Sequence, residues 1–245
     1  MTTQPESQLK QPHPLSGTEM NGAEMVVQVL ADQGVDTVFG YSGGAILPTF
    51  DAVFRYNEEN APEGEDAISL IVPANEQGAC FMASGYARAT GKVGAVIVTS
   101  GPGATNCVTP VRDCMADSIP IVVVCGQVAT SSIGTDAFQE APVSGIMGSV
   151  AKHVFLVTDP TRLEMTMRSA MEIAQSGRPG PVVIDIPKDV QNWVGSYLGE
   201  GLLSIPGYNH RIQATRNNIM TEERCKEFFS FQAKSERPLI YAGGG

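Results

Sequence analysis

From Gly22 onward the apolar positions follow two alternating rhythms, one at helical spacing and one unbroken. Residues 22–33 (GAEMVVQVLADQ) set Ala23, Val26, Val27 and Leu30 on one face, and Gly34 stops the helix they predict. A short strand, VDTVFG, follows, then a loop of small residues from Tyr41 to Ala45 and a helix from Ile46 to Asn57. Residues 58–66 (EENAPEGED) read as a charged surface loop. The strand-like run ISLIV at 68–72 leads through PANEQ into a helix over 76–90. GKVGAVIVTS, IPIVVVCG and PVVIDIP read as buried strands. GPGATN turns into a helix after the first of them, and a further helix occupies about 161–176.

β-Branched runs without polar alternation belong to strands covered on both faces, and their regular exchange with helices predicts an α/β fold with a doubly wound parallel sheet. Ligands of such sheets bind at the carboxyl ends of the strands, where GYSGG, PANEQ and TSGPGATN fall. After Val190 the pattern becomes irregular to about Asn217, followed by a short amphipathic helix, Thr221 to Lys234, and a strand, RPLIYAGGG. The expected organisation is a flexible leader over 1–20, one domain over 21–192, a linker over 193–235, and the first strand of a truncated second domain over 236–245.

Composition narrows the function classes. Lys+Arg 16 against Asp+Glu 26 gives a net charge of −10, without the basic stripe that phosphate backbones attract, which argues against nucleic acid as a partner. No segment offers the roughly 20 uninterrupted apolar residues of a membrane span. The five cysteines are widely spaced, with no CxxC pair and no His at ligand spacing, so they read as reduced thiols of a cytoplasmic protein and no metal site is expected.

Candidate chemistry is sparse. Gly101 and Gly103 supply part of a dinucleotide fingerprint after a strand, but Asn106 replaces the third glycine and no acid follows Cys125 to hold a ribose. A tight turn with close backbone approach is the plainer reading. There is no GxSxG elbow, and His13, His153 and His210 lie in the leader, before a strand and in the irregular tail. Glu76 stands where a strand ends and a helix begins, behind Asn75 as N-cap. Two readings stay open: an ordinary first-turn acid favoured by the helix dipole, or a functional carboxyl at the sheet's ligand-binding edge.

NEQGACFMASGYARATGKVGAVIVTSGPGATN, followed by DSIPIVVVCGQV and IGTDAFQEAPVSGI, is similar to the pyrimidine-binding domain of thiamine diphosphate enzymes. With GAEMVVQVLADQGVDTVFGYSGGAILPTFDA and SGRPGPVVIDIPKDVQ, residues 22–192 resemble the large catalytic subunits of acetolactate synthases. The resemblance implies that Glu76 bonds the cofactor's aminopyrimidine at N1′, so that pyruvate is decarboxylated and its two-carbon unit condensed with pyruvate or 2-oxobutyrate. A carboxyl with an ordinary pKa near ~4.3 would need a desolvated setting to share a proton there. It further implies cofactor contacts at Gly43, Gly44, Ala45, Gly101, Pro102 and Asn106, a catalytic Gln139 beside the reacting carbon, Phe138 and Lys188 along the substrate channel, and Arg178 against FAD. Mg²⁺ would be bound by a C-terminal domain, FAD mostly by a middle domain. Sites would lie between the chains of a homodimer or homotetramer, with a regulatory small subunit as a further partner, and 245 residues alone would be inactive.

Some positions depart from that pattern: Asn75 stands for a usual His, Ala74 for Arg, Ser42 for Pro, Ala129 for a Pro linked to herbicide binding, and Ser84 for a common acid. None removes a group the central chemistry needs. Other thiamine diphosphate enzymes, of pyruvate oxidase or sulfoacetaldehyde acetyltransferase type, and a non-catalytic dimerisation module remain alternatives.

Overall fold

The computed structural model describes residues 12–61, 65–208, 210 and 221–241. Six parallel strands form the main sheet: β2 (Thr37–Tyr41), β3 (Ser69–Ile71), β4 (Gly94–Val98), β5 (Ile121–Gln127), β6 (His153–Leu156) and β7 (Val182–Pro187), in the order β3-β2-β4-β5-β7-β6. β4, β5 and β7 are buried along their whole length, as their unbroken apolar runs require.

Helices cover both faces. α1 (Gly22–Asp32), α2 (Leu47–Asn60) and α7 (Leu163–Gln175) close one core with Val122, Val124, Ile184 and Ile186. α3 (Glu76–Thr90), α4 (Pro102–Asn106), α5 (Val108–Asp117) and α6 (Val143–Met147) close the other with Val96, Val98, Val123 and Val183. Each such Val or Ile contributes about 1.5–3 kcal/mol by leaving water. Local signals fix the helix limits. Asn21 and Glu24 form a capping box at α1, and Gly91 ends α3 in the left-handed conformation at φ 73°.

β2 lies between β3 and β4, and the chain leaves β2 towards β3 but leaves β4 towards β5. The two adjacent strands therefore feed opposite faces and opposite directions, which opens a crevice at their carboxyl ends. Loop 41–45 and the turn at 99–101 bound it.

The expected limits shift at both ends of the domain. Residues 13–20, read as part of a loose leader, lie against the domain from His13 on. β1 (Glu19–Asn21) pairs antiparallel with β8 (Val194–Ser196), inside the segment read as linker. His13 meets Asp32 at 3.1 Å and packs edge-on against Tyr197. Tyr197 is fully buried and donates to Asp32, and Arg168 binds Asp32 at 2.6 Å and Glu164 at 3.3 Å. Burial pushes the Asp32 carboxyl up, but the bonds from Tyr197, Arg168 and Gln28 outweigh it and hold it below the usual carboxylate range. The short α8 (Lys188–Asn192) precedes β8, and α9 (Glu222–Lys234) falls where an amphipathic helix is predicted. Residues 238–241 form no strand, since a strand needs a neighbour to bond; 242–245, like 1–11, lie outside the described residues. No described helix is long and apolar enough to cross a membrane.

Candidate active site

Glu76 opens α3 at the carboxyl edge of the sheet, with Asn75 capping the helix by accepting from Gly78 N at 2.8 Å. Its side chain is only 9% exposed. Asn106, the last residue of α4, donates Nδ2 to Glu76 Oε2 at 2.8 Å. The other oxygen, Oε1, faces the space above Gly103, where a Cβ would stand 3.5 Å away. The same Cβ would crowd Thr99 Cγ2 at 2.8 Å, so Gly103 lets α4 pack directly on Thr99 beside the carboxylate.

Thr99 forms the floor. It is 5% exposed and its hydroxyl has no hydrogen-bond partner among the described residues. Gly43 lies over it: a Cβ on Gly43 would meet Thr99 Cβ at 2.5 Å and Oγ1 at 2.6 Å. Ala45 rests on Gly126 of β5, where an added Cβ would touch its carbonyl carbon at 2.6 Å. Gln191 pins this loop from behind. Fully buried, it donates to Ala45 O at 2.8 Å and accepts from Thr49 Oγ1 at 2.9 Å.

Loop 128–142 forms the far wall. Gly101 takes φ 44° and lies so close to Gln139 that a Cβ would be 2.2 Å from the Gln139 carbonyl oxygen. Gln139 itself adopts φ 59°, and the preceding Phe138 is 88% exposed. Glu140 stiffens the loop by accepting from Gly134 N and from Ala137 N at 3.1 Å, and Asp189 accepts from Thr130 N at 3.0 Å. Beneath it lie two buried polar side chains, Gln127 and Asp185, bonded at 3.0 Å. Burial raises the Asp185 carboxyl to about 7, although the Gln127 bond opposes it.

The structure thus gathers Glu76, Gly43, Gly44, Ala45, Gly101, Pro102, Asn106, Phe138 and Gln139 at one crevice. Lys188 stands at the same edge beyond loop 41–45, exposed beside an apolar cleft of about 670 Å³ with Leu47, Phe54 and Val72. Arg178 is elsewhere. It precedes β7 and binds the last carbonyls of α5, Met115 O at 3.0 Å and Ala116 O at 2.9 Å, with Ser118 Oγ at 2.8 Å. That is the amino end of the strands, opposite Glu76.

Thr99, Gln127, Asp185 and Gln191 escape the sequence reading. Only Asp185 carries a signal, an acid inside the apolar run PVVIDIP. All five cysteines are free, and four are buried. The Cys107 thiol near Cys80, together with burial, raises the Cys80 thiol, and burial raises that of Cys125, which leaves both poor nucleophiles. Among the described residues no group of His, Cys, Asp and Glu is placed to hold a metal ion.

Residues 20–146 match the family model described as "Thiamine pyrophosphate enzyme, N-terminal TPP binding domain". Over 228 residues the chain is 44% identical to the acetolactate synthase isozyme 2 large subunit of Escherichia coli, an alignment covering 92% of this chain and 38% of that protein. It is 41% identical over 226 residues to the acetolactate synthase large subunit of Corynebacterium glutamicum, covering 92% and 34%. It is 53% identical over 171 residues to the mitochondrial acetolactate synthase catalytic subunit of Saccharomyces cerevisiae, covering 70% and 24%. The chain therefore spans well under half the length of these relatives. Its matched residues exceed half of its own length, and the chain belongs to the thiamine pyrophosphate enzyme family, as its N-terminal TPP-binding domain.

Proposed function

We propose that this chain is the pyrimidine-binding part of an acetolactate synthase large subunit, which decarboxylates pyruvate and joins the two-carbon unit to pyruvate or 2-oxobutyrate. The observation that carries this reading is the setting of Glu76: a nearly buried carboxylate at the carboxyl edge of the sheet, anchored through one oxygen by Asn106, with the other turned toward Gly103.

That setting suits a ring with a basic nitrogen. One carboxylate oxygen is available to share a proton, and glycines at 43 and 103 let loop 41–45 and α4 close tightly on Thr99 beside it. Thiamine diphosphate, when bound, supplies the electron sink for breaking the bond to the carboxylate of a 2-oxoacid and making the new carbon–carbon bond. Glu76 holds a proton at N1′ of the pyrimidine, a task for an acid and not for an amide. Gly43, Gly44 and Ala45 face the thiazolium, while Gly101, Pro102 and Asn106 border the pyrimidine. Gln139 stands by the reacting carbon, and Phe138 with Lys188 lines the path of pyruvate.

In this reading Mg²⁺ and the diphosphate are held outside these residues, as is most of FAD, with Arg178 as its one contact here. Tyr41, Val72 and Phe138 expose apolar surface at the crevice edge, 39%, 55% and 88% respectively, which suits closure by another subunit of a homodimer or homotetramer. A regulatory small subunit and a cytoplasmic location complete the proposal.

The test is product analysis in the full-length enzyme with pyruvate and 2-oxobutyrate. Acetohydroxy acids are expected, and Glu76→Gln should lower their formation by about 10²–10⁴-fold with the fold retained. Undiminished carboligation by that variant would end the proposal; acetate or acetyl phosphate in place of acetohydroxy acids would transfer it to an oxidase or acetyltransferase.

A further inference from the structure

We propose that Asp185, acting through Gln127, is a positioning residue that sets loop 128–142 against the turn at Gly101, and with it Phe138 and Gln139. This deepens the functional reading above and rests on it only for the claim that the loop borders the reaction site.

Gln127 ends β5 and is 2% exposed. Its three bonds have one geometric effect. Oε1 accepts from Val128 N at 2.9 Å, Nε2 donates to Ala141 O at 3.2 Å, and the same Nε2 donates to Asp185 Oδ2 at 3.0 Å. One side chain therefore clasps the first residue of the loop and the residue at its far end, and Asp185 fixes the plane of the amide that does so. The register of β5 and β7 places Asp185 opposite Cys125, two residues before Gln127, so both side chains rise from the same face of the sheet directly under the loop.

A purely structural pair would not look like this. The other positions of β5 and β7 are Val, Ile, Cys, Gly and Pro, and an apolar pair of similar volume would fill the space without desolvating a carboxyl. Asp185 is 2% exposed, and its Oδ1 has no hydrogen-bond partner among the described residues. The carboxyl therefore costs stability and returns only its hold on Gln127. What Gln127 holds is the loop whose Gln139, in the left-handed region, presses on Gly101. Releasing the clasp at 128 and 141 loosens this wall of the crevice.

The experiment compares wild type with Asp185→Asn, Asp185→Leu and Gln127→Leu in the full-length protein, by amide hydrogen exchange and by steady-state kinetics with pyruvate. Asn keeps an acceptor for Gln127; Leu keeps volume alone. Both Leu variants should exchange about tenfold faster across 128–141, the scale of losing a pair of buried hydrogen bonds, with α1 and α7 unchanged. Asp185→Asn should stay within about twofold of wild type in exchange and in kcat/KM, while the Leu variants lose about tenfold in kcat/KM. If Asp185→Leu does not fold, Gln127→Leu reads the same link. The proposal is overturned by wild-type loop exchange in the Leu variants, by a rise spread equally over α1 and α7, or by an Asn variant as loose as Leu. Loop exchange as expected in a protein that forms no acetohydroxy acid would keep the positioning role and defeat the functional reading instead.

Discussion

Asn106 Nδ2 donates to Glu76 Oε2 at 2.8 Å, joining the end of α4 to the start of α3 across 30 residues of sequence. This bond leaves the carboxylate one occupied and one available oxygen. It also makes the orientation of Glu76 depend on a side chain that is itself partly exposed.

Replacing Asn106 by Asp should put a second carboxylate about 3 Å from Glu76 and turn an attraction into a repulsion. Asn106→Ala should lower kcat for carboligation about tenfold, and Asn106→Asp should lower it further. Undiminished rates in both variants would mean that the two side chains separate in the working enzyme.

The Thr99 hydroxyl is buried without a partner among the described residues, so Thr99→Val removes a desolvated group at nearly constant volume. Stability measured by urea unfolding should hold or rise by up to about 1 kcal/mol. A loss of more than about 1 kcal/mol in the cofactor-free protein would show that the hydroxyl already has a bond.

Asp185 gives stability a definite dependence on pH. The folded protein keeps its proton up to about pH 7, whereas an unfolded Asp releases it near 3.8. Folding thus holds an extra proton between those values, and stability falls as pH rises from about 4 to 7, then levels off. Asp185→Asn should flatten this slope. It should exceed wild type by on the order of 2–4 kcal/mol at pH 8, and the difference should vanish below pH 4. Parallel stability curves for the two proteins from pH 4 to 8 would refute the assignment.

Arg168 is 8% exposed and serves Asp32, Glu164 and Tyr197 together. Arg168→Met should cost about 3 kcal/mol or more, because two buried carboxylates lose their cation. Asp32, held below its usual value, adds stability that is lost only when pH falls through that lowered value. In the variant the acid transition should therefore begin at higher pH, as followed by circular dichroism from pH 6 to 2.

Wherever local chemistry and tertiary context agree, the fold is legible in the chain. Unbroken apolar runs predict β4, β5 and β7, Asn75 marks the start of α3, and the three loops at the sheet's carboxyl edge point to the crevice. Glu76 is legible as a candidate because a cap and a strand end converge on it. Gln127 and Asp185 are not, since they lie 58 residues apart in sequence and only the register of β5 on β7 brings them together. The packing of residues 13–20 escapes notice for the same reason: a three-residue strand has no pattern of its own, and its partner comes after Trp193. Arg178 is legible as part of a motif, whereas its bonds to the end of α5 are set by packing that the motif does not encode.

The route of the chain after β8 has a consequence for access. Leu198 N and Gly199 N bond Glu164, Leu203 N bonds Ser169, and Tyr208 meets Ser176, so the backbone descends the flank of α7 step by step. It is delivered to the underside of the sheet. Anything attached there must climb back past strands of five to seven residues, about 17–23 Å, before it could roof over Glu76. A separate molecule arriving from solvent faces no such detour.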